Sequence, residues 1–189
     1  MLTERLSQAF AIAIEAHSSQ VRKGTSVPYI AHPMAVASIA LEYGADEDQA
    51  MAALLHDAVE DGGAEYAQII RNNFGDRVAD IVDGCTDGVP DQNGKKTVPW
   101  KIRKENYLSH LRSCSDDVLL VSGSDKLHNA RAIVSDLQNI GLTVFDRFSS
   151  TKEDTLWYYQ SLSDIFKQRN APTAKVLSET VAQMQALSK

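Results

Sequence analysis

The stretch LLHDAVED at positions 54–61 sets four ionisable side chains directly after an apolar run. On a helical wheel of about 100° per residue, Glu60 lies about 40° from His56. Asp57 and Asp61 follow at about 100° and 140° on the same wheel. The four groups therefore share one face of a helix, and apolar residues fill the other. Because such groups are costly to bury without partners, this face is either an acidic surface stripe or a site.

The types of these residues favour a site over a stripe. A histidine next to a carboxylate offers a nitrogen and an oxygen ligand to a divalent metal ion. Two further carboxylates one turn along, Glu60 and Asp61, could orient or deprotonate a water molecule beside that ion. From the wheel alone, an ordinary amphipathic helix with an acidic solvent face remains the alternative.

Two other segments supply candidates for the ligands that are still needed. His32 directly precedes Pro33, and proline is favoured in the first turn of a helix, so His32 projects from a helix start. The alternative is a capping or surface histidine. In the segment VSGSDKLHNARAI, Asp125 lies on one helical stripe with Asn129 and Ala132, so these side chains can face one pocket.

Fewer features of the sequence indicate that the remaining histidines are metal ligands. His128 is displaced by about 60° from the stripe of Asp125, and we assign it to packing or to the support of a ligand. His17 and His110 have no acidic or histidine neighbour in the sequence, and we assign both to structural roles.

Two groups of cations are candidates for contacts with phosphate. Arg22 and Lys23 precede a break at Gly24, where a solvated basic pair at a helix end is the alternative. A second group follows Trp100 and consists of Lys101, Arg103 and Lys104. For this second group the pattern favours a solvated face over a phosphate site.

Periodicity and composition predict an all-α helical bundle. The 189 residues are 43% hydrophobic and 23% charged, which is typical of a globular protein, and we expect one domain over residues 1–189. The apolar spacing predicts helices at about 2–19, 33–43, 46–61, 64–73, 75–86, 100–113, 116–138, 150–168 and 173–187. The segment 87–99 is the one long irregular stretch, and we expect a mobile loop there.

Charge and cysteine content narrow the class of partner. A net charge of −6 argues against a nucleic-acid partner, which usually needs a basic face, but permits an anionic small molecule. Two separated cysteines give neither a disulfide framework nor a metal-binding pair. With no signal peptide and no membrane-spanning stretch, we expect a cytoplasmic protein that binds no membrane. The sequence does not indicate an oligomeric state.

Four linked blocks carry a family resemblance. They read AHSSQVRKGTSVPYIAHPMAVA, AALLHDAVEDG, FGDRVADIVDGCTD and SDKLHNARAI, and they span about residues 9–138. Their order resembles that of the HD superfamily of metal-dependent phosphohydrolases, in the hydrolase branch of the RelA/SpoT family. The later stretch DRFSSTKEDTLWYYQSL, within the C-terminal helices at about 150–187, is similar to the stand-alone bacterial small alarmone hydrolases.

This resemblance implies a fold, a cofactor and a reaction. The fold is an HD-domain helical bundle, and the cofactor is a single Mn²⁺ ion held by His32, His56, Asp57 and Asp125. The resemblance assigns the activation of the attacking water to Glu60 and Asp61. It assigns the nucleotide contacts to Arg22, Lys23 and Asn129. The implied reaction removes pyrophosphate from the 3′ position of guanosine 3′,5′-bis(diphosphate) and its pentaphosphate relative.

One departure from the family pattern bears on the substrate. Family members often read HNxRT, whereas this chain reads HNARA, so Ala132 stands where a threonine hydroxyl would lie near the nucleoside. An adenosine alarmone or another 3′-phosphorylated nucleotide is therefore an alternative substrate, as are a dinucleotide cofactor and a cyclic nucleotide. A non-catalytic nucleotide sensor is the alternative outside enzymes. Because the chain ends soon after the hydrolase-like region, we expect hydrolysis without synthesis.

Overall fold

The computed structural model describes residues 2–88 and 97–189, and the fold that it gives is built from α-helices. Across these two ranges no β-strand forms, and an isolated bridge joins Val21 to Pro28. The α-helices are α1 (Glu4–Ala16), α2 (Ala31–Glu42), α3 (Glu47–Leu55), α4 (Glu65–Phe74), α5 (Asp76–Cys85), α6 (Trp100–Leu111), α7 (Asp116–Ile140), α8 (Lys152–Gln168) and α9 (Ala174–Leu187). The predicted all-α bundle is confirmed. Most of the predicted loop at 87–99 lies outside the described residues.

Side-chain caps explain why most helices begin close to their predicted positions. The Thr3 hydroxyl accepts a backbone N–H at the start of α1, and Ser115 and Thr151 do the same for α7 and α8. At the start of α3, Asp46 and Gln49 form a reciprocal capping box. Such caps satisfy N–H groups that have no partner inside the helix, and they can be recognised in the sequence.

The central element is α7, which packs against α2, α3, α5, α8 and α9. Every residue from 118 to 125 is buried, so this part of α7 runs through the core. Gly123 permits the close approach of its neighbours, because a Cβ atom there would lie 2.4 Å from Thr173 Oγ1 and 2.8 Å from Phe166 Cε1. In the parts of the chain that the structure describes, no helix is both long enough and apolar enough to cross a membrane.

Three helices that pack on one another define the position of the candidate site. Contacts join α2 to α3, α2 to α7 and α3 to α7. His32 lies in the first turn of α2, His56 directly follows α3, and Asp125 lies in the buried part of α7. The predicted start of α2 at residue 33 therefore shifts to Ala31, and Pro33 remains in the first turn, where its missing N–H is not needed.

The prediction of one continuous helix over 46–61 is wrong. The helix α3 ends at Leu55, and a π-helical turn covers Ala58–Gly62. The angle of about 100° per residue does not apply across this wider turn, so the wheel does not give the directions of Glu60 and Asp61. The apolar pattern does not indicate this change, because Ala58 and Val59 are buried here as they would be in an α-helix.

Side-chain contacts with backbone carbonyls lie on both sides of the break. The imidazole Nδ1 of His56 lies 2.8 Å from the carbonyl oxygen of Ala53. The Gln20 carboxamide donates to the carbonyl oxygen of Asp61 at 2.7 Å, and the His17 imidazole lies 2.8 Å from the same Gln20 side chain. These contacts offer the backbone an alternative to the α-helical ladder, which a wheel cannot represent. π-turns of this kind are frequent at functional sites.

Candidate metal centre and active site

Two histidines and two aspartates meet at the junction of α2, α3 and α7. The Nε2 atoms of His32 and His56 lie 3.4 Å and 3.1 Å from Asp57 Oδ2. They lie 3.2 Å and 3.7 Å from Asp125 Oδ1. The ligand atoms of His32, His56 and Asp57 all fall within 4.8 Å of one another, which suits a metal ion. The structure thus brings together all four residues that the sequence nominated as ligands.

The orientation of His56 fits a metal ligand. Its Nδ1 atom lies 2.8 Å from the Ala53 carbonyl oxygen, which only accepts hydrogen bonds, so Nδ1 carries a proton. The other ring nitrogen, Nε2, is buried and forms no well-directed hydrogen bond within the described ranges, although it lies 3.1 Å from Asp57 Oδ2. A backbone carbonyl that fixes one imidazole nitrogen so that the other can bind metal is a common arrangement.

His32 is oriented by a second histidine. The Nδ1 atoms of His32 and His128 lie 2.7 Å apart, so one ring donates a proton to the other. This contact leaves His32 Nε2 directed at the carboxylates of Asp57 and Asp125. This contact agrees with our expectation that His128 packs against or supports a neighbouring ligand.

Each carboxylate of the centre is also fixed by a neighbour. The Tyr29 hydroxyl donates to Asp57 Oδ2 at 2.7 Å. The carboxamide of Asn129 donates to Asp125 Oδ1 at 2.6 Å, and the ammonium of Lys126 lies 2.5 Å from Asp125 Oδ2. Partners of this kind hold ligands in the direction that a metal requires, and they are commonly as important as the ligands themselves.

The charges of the centre suit a divalent cation. Burial raises the pKa of Asp125, but Lys126 and the two histidines outweigh this effect and bring the pKa well below its usual value. Burial lowers the pKa of His56, but Asp57 and Asp125 more than reverse this and bring the pKa well above its usual value. The two carboxylates therefore stay ionised and attract a positive charge. A bound metal ion would take the place of the imidazole proton.

Glu60 and Asp61 follow the ligands on the π-turn. Glu60 is half-buried and accepts a hydrogen bond from the backbone N–H of Asp87 at 3.4 Å. Asp61 lies at the surface, yet partial desolvation of its carboxyl group raises the pKa, and the carboxylates of Asp57 and Glu60 add to this shift. The turn thus sets two carboxylates next to the metal-ligand segment.

A cavity of about 160 Å³ adjoins this centre. Asn129 connects the cavity with the centre, because it lines the cavity and also donates a hydrogen bond to Asp125. Apart from Ile133, the other lining residues are three lysines, four aromatic residues and three serine or threonine residues: Lys23, Lys104, Lys126, Trp100, Phe148, Tyr158, Tyr159, Ser149, Ser150 and Thr155. Cations beside aromatic faces suit a ligand that combines phosphates with a planar base.

The residues that the sequence nominated for substrate contacts fall around this cavity. Lys23 is exposed and lines it. Arg22 is half-buried and donates to Asn129 Oδ1 at 2.9 Å. Ala132 is half-buried on α7, and the cavity wall there is formed by its neighbour Ile133. Three of the four nominated residues thus line the cavity or contact its lining.

The interpretation of the second cationic group as a solvated face is wrong for two of its members. Arg103 Nη1 lies 2.6 Å from Asp87 Oδ1, and Lys104 forms an ion pair with the same carboxylate. Lys104 also lines the cavity, with its ammonium 5.0 Å from the ring centroid of Tyr158. Lys101 is more exposed and is paired with Asp154 at 2.8 Å. Burial of Lys104 follows from partners on other elements, which a single-helix pattern does not include.

Sequence reasoning missed the roles of Tyr29 and Lys126. Both were present in the quoted motifs, since Tyr29 lies three residues before His32 and Lys126 directly follows Asp125. Polar residues next to nominated ligands were therefore the available signal. The fixed contacts of the two side chains with Asp57 and Asp125 identify them as supports of the centre.

Comparison with known families agrees with this geometry. Residues 9–153 match the family model of the HD domain. The chain belongs to the HD-domain family. The matched region of this family member includes all four candidate ligands, and the predicted HD-type helical fold is confirmed.

Two relatives of this HD-domain chain are named as 3′-pyrophosphohydrolases. The guanosine-3′,5′-bis(diphosphate) 3′-pyrophosphohydrolase of Aquifex aeolicus is 38% identical over 133 residues, which are 69% of this chain and 18% of that protein. The protein of the same name from Xenopus tropicalis is 39% identical over 127 residues, 66% of this chain and 66% of that protein. This chain thus spans only about a fifth of the Aquifex relative.

A solved structure extends the similarity to almost the whole chain. It is described as a metazoan ortholog of SpoT that hydrolyzes ppGpp, and it superposes with a TM-score of 0.77 at 27% identity. The match covers 97% of both chains. The resemblance to the hydrolase branch of the RelA/SpoT family is therefore confirmed.

We expect the His56→Ala variant to lose metal binding while keeping its helical fold. The substitution removes a nitrogen ligand from a centre whose other members stay in place. Isothermal titration with Mn²⁺ measures the loss, and circular dichroism checks the fold. His110→Ala is the matched control, because His110 contacts the Gly84 carbonyl oxygen outside the centre and should bind Mn²⁺ as the parent does.

Undiminished Mn²⁺ affinity in His56→Ala would contradict the ligand assignment. If the deletion of a buried ring unfolds the chain, Asp125→Asn gives the same test with almost no change of shape. It replaces an anionic ligand by a neutral one, so its Mn²⁺ affinity should also fall.

Proposed function

We propose that this chain is a Mn²⁺-dependent phosphohydrolase that removes the 3′-pyrophosphate of guanosine 3′,5′-bis(diphosphate)-type alarmones. The observation that carries the proposal is the shared position of Asn129, between a two-histidine, two-aspartate centre and a cavity lined by lysines and aromatic rings. A metal site and a phosphate-binding cavity are thus joined. The names of the relatives supply the substrate class.

In this proposal His32, His56, Asp57 and Asp125 hold the Mn²⁺ ion. Imidazole and carboxylate donors suit a metal of its borderline-hard character. When bound, such an ion polarises a phosphoryl oxygen and lowers the pKa of a water molecule towards neutrality. The ligands are prepared for this by His128, the Ala53 carbonyl oxygen, Tyr29 and Asn129, which fix their directions.

Glu60 and Asp61 handle the proton of the attacking water. Hydrolysis forms a bond between the water oxygen and the phosphorus on the ribose 3′ oxygen. The bond between that phosphorus and the 3′ oxygen breaks, pyrophosphate leaves, and the 3′ oxygen gains a proton. A carboxylate next to the metal-ligand segment is a suitable acceptor for the water proton. The π-turn presents both carboxylates in this place.

The lysines of the cavity stabilise the negative charge of the substrate. Phosphoryl transfer depends mainly on positioning and on stabilising charge, and cations that are partly removed from water do this well. Lys104 and Lys126 supply two such cations, and the exposed Lys23 lines the same cavity. Burial and the nearby charge of Lys126 lower the pKa of Lys104, and the charge of Asp87 opposes this shift. An added anionic phosphate would relieve the same crowding of positive charge.

The departure from the family pattern at Ala132, next to the cavity-lining Ile133, favours a second candidate substrate, an adenosine alarmone. Because this side chain has no hydroxyl, it cannot make the hydrogen bond that the threonine of related chains would offer to a nucleoside. The metal centre and the lysines of the cavity would act equally on substrates with either base, since they would contact the phosphates. Base choice would then depend on the contacts at this part of α7.

An assay with a panel of nucleotides tests the proposed function. The Mn²⁺-loaded protein is given guanosine and adenosine 3′,5′-bis(diphosphates), a dinucleotide cofactor and a cyclic nucleotide, and phosphorus NMR identifies the products. We expect pyrophosphate from the alarmones and none from the protein after chelation. Turnover of the cyclic nucleotide or the cofactor alone would contradict the proposal, and binding without turnover would indicate a sensor.

We expect Glu60→Gln to separate proton handling from metal binding. The substitution keeps size and hydrogen bonding but removes basicity, so the catalytic constant should fall by about 10²–10⁴-fold. Mn²⁺ affinity, measured by titration, should change little. Glu153→Gln is the matched control, because Glu153 is 77% exposed on α8 and should keep full activity.

The opposite pattern would contradict this role. A collapse of Mn²⁺ affinity in Glu60→Gln would make Glu60 a ligand. Full activity would leave Asp61 as the base, and Asp61→Asn then provides the same comparison.

We expect Ala132→Thr to change the choice between the two bases. One ordinary hydrogen bond corresponds to about a threefold to tenfold change in the ratio of specificity constants for guanosine and adenosine alarmones. Parallel kinetics on the two substrates measure this ratio for parent and variant. A ratio that stays the same would mean that this position does not contact the base.

A further inference from the structure

The side chain of Asn129 joins two groups with different tasks. Its Nδ2 atom donates to Asp125 Oδ1 at 2.6 Å, and its Oδ1 atom accepts from Arg22 Nη2 at 2.9 Å. The Asp125 oxygen is the one that lies 3.2 Å from the His32 Nε2 atom. One carboxamide therefore connects a candidate metal ligand on α7 with a cation more than a hundred residues away in the sequence.

The chemistry of the two neighbours determines which way the carboxamide points. An arginine side chain can only donate hydrogen bonds, so the amide oxygen must face Arg22. An ionised carboxylate can only accept, so the NH₂ group must face Asp125. A flipped amide would lose both contacts and bring like groups together. Asn129 is thus held in one orientation by both partners.

Arg22 also lies beside Tyr29, which is a partner of the second carboxylate of the centre. Its guanidinium lies 5.8 Å from the centroid of the Tyr29 ring, and the Tyr29 hydroxyl donates to Asp57 Oδ2 at 2.7 Å. Backbone hydrogen bonds fix the loop around it, since the Arg22 N–H donates to the Val27 carbonyl oxygen at 2.9 Å. The outer partners of Asp57 and Asp125 therefore both contact Arg22.

We propose that Asn129 is a positioning residue that couples Arg22 to the metal centre. In this account the carboxamide directs the Asp125 oxygen towards the metal and, at the same time, aligns the guanidinium at the cavity. The proposal rests on the proposed function only for the nucleotide that Arg22 meets. The coupling itself concerns metal binding and can be measured without substrate.

Coupling has a reciprocal consequence for the two ligands. If a nucleotide orders Arg22 and thereby Asn129, it strengthens metal binding, and the metal must strengthen nucleotide binding by the same factor. Using GDP, the product of the proposed reaction, as the probe, we expect about fivefold tighter Mn²⁺ binding in its presence. In Asn129→Leu this enhancement should disappear.

Titration of the substrate-free protein with Mn²⁺ tests the positioning role. Asn129→Leu keeps the branched shape of the side chain but removes both hydrogen bonds, and we expect Mn²⁺ affinity to fall by about 10–100-fold. Arg22→Met removes the distal contact alone, and its Mn²⁺ affinity should fall by about threefold to tenfold. Lys23→Met is the matched control, because Lys23 lines the same cavity and is the next residue in the loop. Its KM should rise while its Mn²⁺ affinity stays within about twofold of the parent.

Parent-like Mn²⁺ affinity in Asn129→Leu, with a raised KM alone, would overturn the proposal and leave Asn129 as a nucleotide contact. Should that variant fail to fold, Arg22→Met decides, since its site lies in a loop. Parent-like Mn²⁺ affinity in Arg22→Met would likewise overturn the coupling. Weakened Mn²⁺ binding in both variants, in a protein that releases no pyrophosphate from alarmones, would sustain the coupling and reject the proposed function.

Discussion

Where α2, α3 and α7 meet, the imidazoles of His32 and His56 are buried with the carboxylate of Asp125, and Asp57 is half-buried beside them. Charges that are removed from water at one place must be paired. This requirement accounts for much of the polar structure around the junction. His128, Tyr29, Asn129 and Lys126 each contact one of the four groups. The remaining attraction for positive charge at the centre of the cluster is what a divalent ion would satisfy.

The buried course of α7 links this centre to the cavity. Asp125 faces the centre, while Lys126 and Asn129 on the same helix line the cavity. A rigid helix fixes the distances among these groups more tightly than a loop would, and catalytic geometry depends on such precision. The flanking loop of Arg22 and Lys23 completes the cavity from a different part of the chain.

The grouping of the four candidate ligands could be predicted from the sequence because each of them stands next to a strong local signal. His32 has Pro33, His56 has Asp57, and Asp125 lies on a stripe with Asn129. The π-turn after α3 could not be predicted in this way. The carboxamide of Gln20, 41 residues away in the sequence, contacts the Asp61 carbonyl oxygen in this turn. A helical wheel describes one segment of the chain, so it does not include contacts between residues so far apart in the sequence.

The second cationic group illustrates the same limit for burial. A periodic pattern on α6 describes one helix, but the environment of Lys104 is set by Asp87 beyond α5 and by Tyr158 on α8. Side chains that look solvated in one element become part of a site when other elements cover them. Pattern reasoning therefore nominated four candidate ligands that the fold brings together, but it misjudged the burial of Arg103 and Lys104.

The central claim is that four side chains at the α2, α3 and α7 junction hold one divalent ion. Anomalous diffraction at the manganese edge, from crystals grown with Mn²⁺, tests it most directly. The account predicts one strong peak at about 2.0–2.3 Å from His32 Nε2, His56 Nε2 and one oxygen each of Asp57 and Asp125. A peak that these four side chains do not surround, or no peak between them at saturating Mn²⁺, would contradict it.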